Sequence, residues 1–150
     1  MRSTVAAARF RTAASDFDEI WSVEPDGKNL RRIVTNNYSP GMDMGDYRGS
    51  FDSLHFSPDS KQIYFLCQNS ASNAILYRAA RDGSSLKKLA IVHELYGAIG
   101  GDPRDRYYGN LAVLVQEGDH RWKTIVMDPD GREVAEIDDP EAFWKDHAVV

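Results

Sequence analysis

Cysteine is nearly missing from this chain. Cys67 stands alone in 150 residues, which excludes an intramolecular disulfide and any cysteine-based zinc cluster. Set inside "IYFLCQ", it reads as a buried strand residue and not a nucleophile, since buried thiols are usually inert. Positive charge is also in short supply, with 18 Lys and Arg against 23 Asp and Glu and a net charge of −5. That leaves no basic field for nucleic acid or an anionic membrane. No apolar run approaches the roughly 20 residues of a membrane-spanning helix. The start, "MRSTVAAARFRTAAS", is broken by Arg9 and Arg11 and lacks the apolar stretch of roughly 7–15 residues that a secretory signal needs. As written, the chain reads as cytoplasmic. Catalytic signatures are absent too: there is no Gly-x-Ser-x-Gly elbow, no phosphate loop and no His-Glu-x-x-His.

What is present is repetition. "EPDGKNLRRI", "ARDGSSLKKL" and "DPDGREVAEI" align on Asp26-Gly27, Asp82-Gly83 and Asp130-Gly131. Apolar or small residues recur around each pair: Trp21, Tyr77 and Ile125, then Val23, Ala79 and Met127, before it; Leu30, Leu86 and Val134, then Ile33, Leu89 and Ile137, after it. The alternation before the pair marks a strand with one face turned inward. Asp-Gly suits a type I′ hairpin, in which both central residues have positive φ. Upstream of the middle copy, Phe51–Phe56 and Gln62–Gln68 flank "SPDS" (Ser57–Ser60), a turn with Pro preset for the bend. In the third copy "DPRD" holds that place. Four short strands at a period of about fifty residues predict propeller blades and not a helical solenoid.

"FSPDSKQIYF" followed by "AILYRAARDGSSLKKL" resembles the TolB-like β-propeller repeat, and "DEIWSVEPDGKNLRRI" resembles its second half. The resemblance implies an all-β fold used as an interaction platform, often periplasmic once a signal has been removed, or an accessory domain of a peptidase. Expected are about three four-stranded antiparallel blades, near residues 4–35, 51–91 and 97–137, half of a six-bladed ring. The third copy departs from the pattern, with "EVAEI" where the others carry basic pairs.

Three blades are too few to close a ring of roughly four to eight. The first copy starts at its second strand, and the tail 139–150 falls where a further inner strand would begin. The tail therefore has two readings. It is a strand completing an N-terminal blade, which between two copies makes a two-fold homodimer with six blades. Alternatively it is a short helix, with Asp139 as N-cap and Pro140 in the first position.

Binding residues are sought where the repeat breaks, since long loops on a rigid scaffold carry function. The insert Asn36–Asp52 offers Tyr38, Asp43, Asp46, Tyr47 and Arg48, and the stretch His93–Asn110 offers Tyr96, Arg104, Arg106 and Tyr107. The two stretches are expected to emerge on one face and to meet a protein or a small polar ligand. Exposed Tyr and Arg suit such a surface. The oxygens of the insert suit calcium, but their spacing matches no EF-hand; no metal set, no cofactor and no nucleic-acid partner is expected. His93-Glu94 reads as loop and His120 as solvated. Arg31-Arg32 and Lys87-Lys88 read as charges guarding edge strands. The expected function is non-enzymatic binding. The alternative is a catalytic or accessory propeller domain of a hydrolase or lyase with a site in the channel, for which His55, Asp59 and Asp102 are the nearest approximation.

Overall fold

A computed structural model of the chain describes residues 4–9, 18–35, 51–68 and 73–150. Within them the strands form three antiparallel sheets. Blade 1 holds β1 (Thr4–Arg9), β2 (Asp18–Val23) and β3 (Arg31–Thr35) in sequence order. Blade 2 holds β4 (Phe51–Phe56), β5 (Gln62–Gln68), β6 (Ala74–Ala80) and β7 (Lys87–Val92), and blade 3 holds β8 (Glu94–Ala98), β9 (Leu111–Glu117), β10 (Arg121–Met127) and β11 (Glu133–Ile137). Each four-stranded blade is a simple meander, the first strand innermost in the chain's order and the last at the outer edge.

Strand alternation sends successive side chains to opposite faces, and both faces of the middle blade are buried. Ile63, Phe65, Cys67, Ile75, Tyr77 and Ala79 pack on Ile20 and Val34 of blade 1. Tyr64, Leu66, Ala74 and Leu76 pack on Leu95, Leu111, Val113, Ile125 and Met127 of blade 3. That explains the unbroken apolar run around Cys67, which is fully buried.

The repeated Asp-Gly corner is not a two-residue type I′ loop. Within each Asp-Gly pair only the glycine has positive φ, +80° at Gly27, +87° at Gly83 and +91° at Gly131. Gly27 N–H donates to Glu24 O (2.8 Å) while Glu24 N–H donates to Lys28 O (3.0 Å), and the same pair of bonds recurs at Ala80–Ser84 and Asp128–Arg132. This is a three-residue loop, a tight turn ended by a left-handed glycine. The glycine has a second duty. A Cβ on Gly83 would lie 2.0 Å from Ile33 O of blade 1, and one on Gly131 would lie 2.7 Å from Leu89 O of blade 2, whereas one on Gly27 would meet nothing within 4 Å. Each later corner is seated on the outer strand of the blade before it.

The tail forms helix α1 (Pro140–Asp146), whose N-cap Asp139 accepts from Ala142 N–H at 3.1 Å. Seven residues cannot hold a helix in water alone. It is held by packing: Phe143 and Trp144 lie with Tyr107 and Ala135 over Ile99, Val126 and Ile137, on the face of blade 3 turned away from blade 2. Beyond it, Val149 bridges Ile99, Val150 N–H donates to Ala98 O (2.8 Å) and Gly100 N–H donates to Ala148 O (3.0 Å). The tail thus lines the inner edge of its own blade 3, so the blade-completing strand of the sequence reading is engaged within the chain. The blades stand as an open fan. Among the described residues no helix is long and apolar enough to cross a membrane.

Candidate binding surface

Two ends of the blades can be told apart by register. Ala98 pairs with Leu111 and Leu111 with Met127, so the 99–110 and 128–132 turns leave from one end; the 57–61 and 81–86 turns share it. Thr35 and Phe51, which bracket the 36–50 connection, lie at the other end, where Phe51 pairs with Cys67. The sequence reading had the two loop stretches emerging together. Their anchors are at opposite ends, because the counterpart of the 36–50 connection is the short step from β7 to β8. Tyr38, Asp43, Asp46, Tyr47 and Arg48 lie outside the described residues.

The stretch His93–Asn110 is not one loop. Glu94 opens β8, and Tyr96 is a strand residue whose ring meets Trp144 at 5.4 Å. Burial, Glu94 and the opposing bond to Thr124 leave the Tyr96 hydroxyl above its ordinary range. Tyr107 packs against Phe143 (5.8 Å) and His147 (5.2 Å). Both tyrosines are half-buried under α1 and hold it down. Asp105 pins the loop from within: its carboxylate accepts from Tyr107 N–H (2.8 Å) and bonds His147 Nδ1 (2.7 Å) with only 6% of the side chain exposed. Burial pushes its carboxyl up, but those two bonds draw it below the usual carboxylate range.

What this loop offers to solvent is Arg104 and Arg106. Arg104 is clasped by both oxygens of Asp102, at 3.1 Å each. The Arg106 guanidinium lies 4.5 Å from the centre of the Tyr107 ring. Tyr108 is 38% exposed beside them.

Each member of the approximate catalytic set has a partner of its own. His55 on β4 bonds the Val150 main chain, and burial holds its imidazole below the usual range and therefore neutral near pH 7. Asp59 accepts from Ser57 Oγ at 2.5 Å, the bond that chiefly lowers its pKa. Asp102 belongs to Arg104. The His93 ring meets that of Trp122 at 4.4 Å in a tilted contact, which sequence reasoning missed because the partner lies on β10, beyond β9. Among the described residues no group of three or more His, Cys, Asp or Glu is placed to hold a metal.

A cavity of about 390 Å³ opens at each seam between blades, on the end that carries the corners. At the seam of blades 1 and 2 it is lined by Ser22, Glu24, Asn29, Leu30, Arg31 and Arg81. The one between blades 2 and 3 includes Ser57, Asp59, Gln62, Tyr64, Arg78 and Tyr108.

No family model matches the sequence, and no curated protein matches it. Solved structures do. The β-propeller domain of the trilobed protease from Pyrococcus furiosus, described as an open velcro topology, matches 92% of this chain and 39% of its own length, at 14% identity and a TM-score of 0.56. TolB from Acinetobacter baumannii matches over 91% and 30%, at 14% identity and a TM-score of 0.58. A gluconolactonase from Xanthomonas campestris covers 87% and 38%, at 20% identity and a TM-score of 0.46. The chain therefore spans less than two fifths of the length of the structures it matches. In fold it is an open, incomplete β-propeller.

Proposed function

We propose that the chain is a non-enzymatic binding module of the TolB-like kind, presenting the end of its blades that carries the 99–110 loop to a partner protein. The carrying observation is that this loop is pinned from beneath while its arginines face outward. Asp105, Tyr107, Phe143 and His147 interlock, and Arg104 is 89% exposed on top. A fixed loop loses little conformational freedom on binding, and Arg beside Tyr is the composition of binding hot spots.

A photo-crosslinking residue at Arg106 tests this against one at Glu133 on the outer strand. The expected result is a discrete adduct in a host extract from position 106 and none from 133. Equal labelling, or turnover of ester or glycan substrates that ceases in His55→Ala, would overturn the proposal in favour of a catalytic propeller.

A further inference from the structure

The seam between blades 2 and 3 contains polar groups that its own packing leaves unused. Tyr64 is 1% exposed, in the middle of an apolar cluster. Among the described residues its hydroxyl has no hydrogen-bond partner, although a buried hydroxyl left unpaired costs about 1–3 kcal/mol. It lines the seam cavity together with Arg78, and its hydroxyl feels the charges of Arg78, Asp59 and Asp130 around that space. Arg78 is held by one nitrogen only: Nη1 donates to Pro129 O (2.5 Å) and to Asp130 Oδ1 (3.3 Å). Its Nε and Nη2 have no partner among the described residues. Opposite in sign, Asp59 receives Ser57 Oγ and Lys61 N–H on Oδ1, at 2.5 and 3.0 Å, and its Oδ2 is unused among the described residues.

We propose that this cavity is a binding site for a small carboxylate that also bears a hydroxyl or amino group. The carboxylate takes the open edge of Arg78, whose two parallel N–H bonds match a planar carboxylate, and the hydroxyl of Tyr64. The ligand's own donor takes Asp59 Oδ2. Burial raises the Tyr64 pKa above that of an ordinary phenol, so the group is a donor at neutral pH. Asp59 and Asp130 flank the site and disfavour a bulky multivalent anion. A cavity of about 390 Å³ is within the range of small-molecule sites. The position that makes the site is particular to blade 2. Arg78 stands where the other copies have Ser22 and Val126, and Val126 lies buried beneath α1.

The ligand-holding groups Tyr64, Arg78 and Asp59 are distinct from Arg104 and Arg106, with Tyr108 alone bordering both, so failure of the site leaves the protein-binding reading standing, and the reverse also holds. The test is calorimetric titration of the full chain with glycolate, acetate and sulfate. Saturable binding of glycolate is expected in the millimolar range, weaker binding of acetate, and none of sulfate. Tyr64→Phe keeps the ring in its cluster; it should bind glycolate about tenfold more weakly without a lower melting temperature. Should that variant fold poorly, Arg78→Lys, which cannot offer the two-pronged edge, gives the same reading. Binding unchanged in the variant that folds overturns the proposal. So does sulfate binding as well as glycolate, and so does no saturation by any probe, the outcome in which the cavity holds only water.

Discussion

The two seams of the fan use the same packing and differ in what they leave over. At both, one face of blade 2 meets a neighbouring blade through aliphatic and aromatic side chains. At both, a corner glycine presses against an outer-strand carbonyl, Gly83 on Ile33 and Gly131 on Leu89. Both open into a cavity of about 390 Å³. The first cavity is bordered by Leu30, 64% exposed, and by polar residues of blade 1 with Arg81. The second encloses a buried phenol and a half-used guanidinium. Besides Tyr64 and Arg78 of blade 2, the second seam differs in the turn that faces it. In blades 1 and 2 the corner Asp bonds its own loop, Asp26 to Lys28 N–H and Asp82 to Ser84 N–H, each at 2.9 Å. In blade 3 Asp128 does this for Arg132 N–H, at 2.9 Å. Asp130 is thereby released to cross the seam to Arg78 and Lys87, at 3.3 and 3.4 Å. Repetition builds the scaffold, and departures from repetition supply groups for binding.

Blade 3 presents its other face to α1 and not to a further blade. Changing Phe143 and Trp144 together to alanine removes that cover, and the expected loss is about 4 kcal/mol, read as the midpoint of urea unfolding. A loss below about 1 kcal/mol would show that the helix is not needed there. The seams themselves are compared by Ile75→Ala and Leu76→Ala, neighbours on β6 that face blades 1 and 3 respectively. Each is fully buried, and each should cost about 3 kcal/mol. A much smaller effect at Ile75 would mark the first seam as the looser one.

Next in size is the pin beneath α1. Asp105→Ala strands the Tyr107 N–H and the His147 ring, for an expected cost of about 2 kcal/mol in thermal or urea unfolding. Because the Asp105 carboxyl is held below its unfolded value, its contribution is full above about pH 3.9 and is lost as pH falls through the lower, folded value. Asp105→Asn should therefore flatten the acid limb of the stability profile. A parallel downward displacement at every pH would contradict that assignment. Smallest is Asp130→Ala. Its pairs are exposed and screened by solvent, so the change in unfolding midpoint should be the smallest of the set, with the effect confined to the second seam in amide exchange.

Much of this was legible in the sequence, for physical reasons that also set the limits. The recurrence of Leu30, Leu86 and Val134 after the corner, and of Trp21, Tyr77 and Ile125 before it, announced stacked sheets because period-two alternation and turn chemistry are local. The loop type was not legible. Asp-Gly fits both a two-residue loop and the last two places of a three-residue one, and only the partner of Glu24 N–H decides. Tyr96 and Tyr107 looked like loop aromatics because Trp144 and Phe143, which cover them, come more than thirty residues later. Tyr64 and Arg78 were hidden inside strand patterns. The one available signal was a charged residue at a position where the equivalent residue of another copy is Val126.

The account rests on each corner being seated on the blade before it, and the glycine pair tests this most directly. Gly27 and Gly83 share sequence context, loop type and left-handed φ, +80° and +87°, and differ in what lies against them. Both alanine variants bear the same backbone strain of about 1 kcal/mol. Only Gly83→Ala forces a methyl group onto the Ile33 carbonyl, which should cost about 2 kcal/mol more. Unfolding curves of the two variants, compared under one set of conditions, should differ by that margin, and equal losses would contradict the stacked fan.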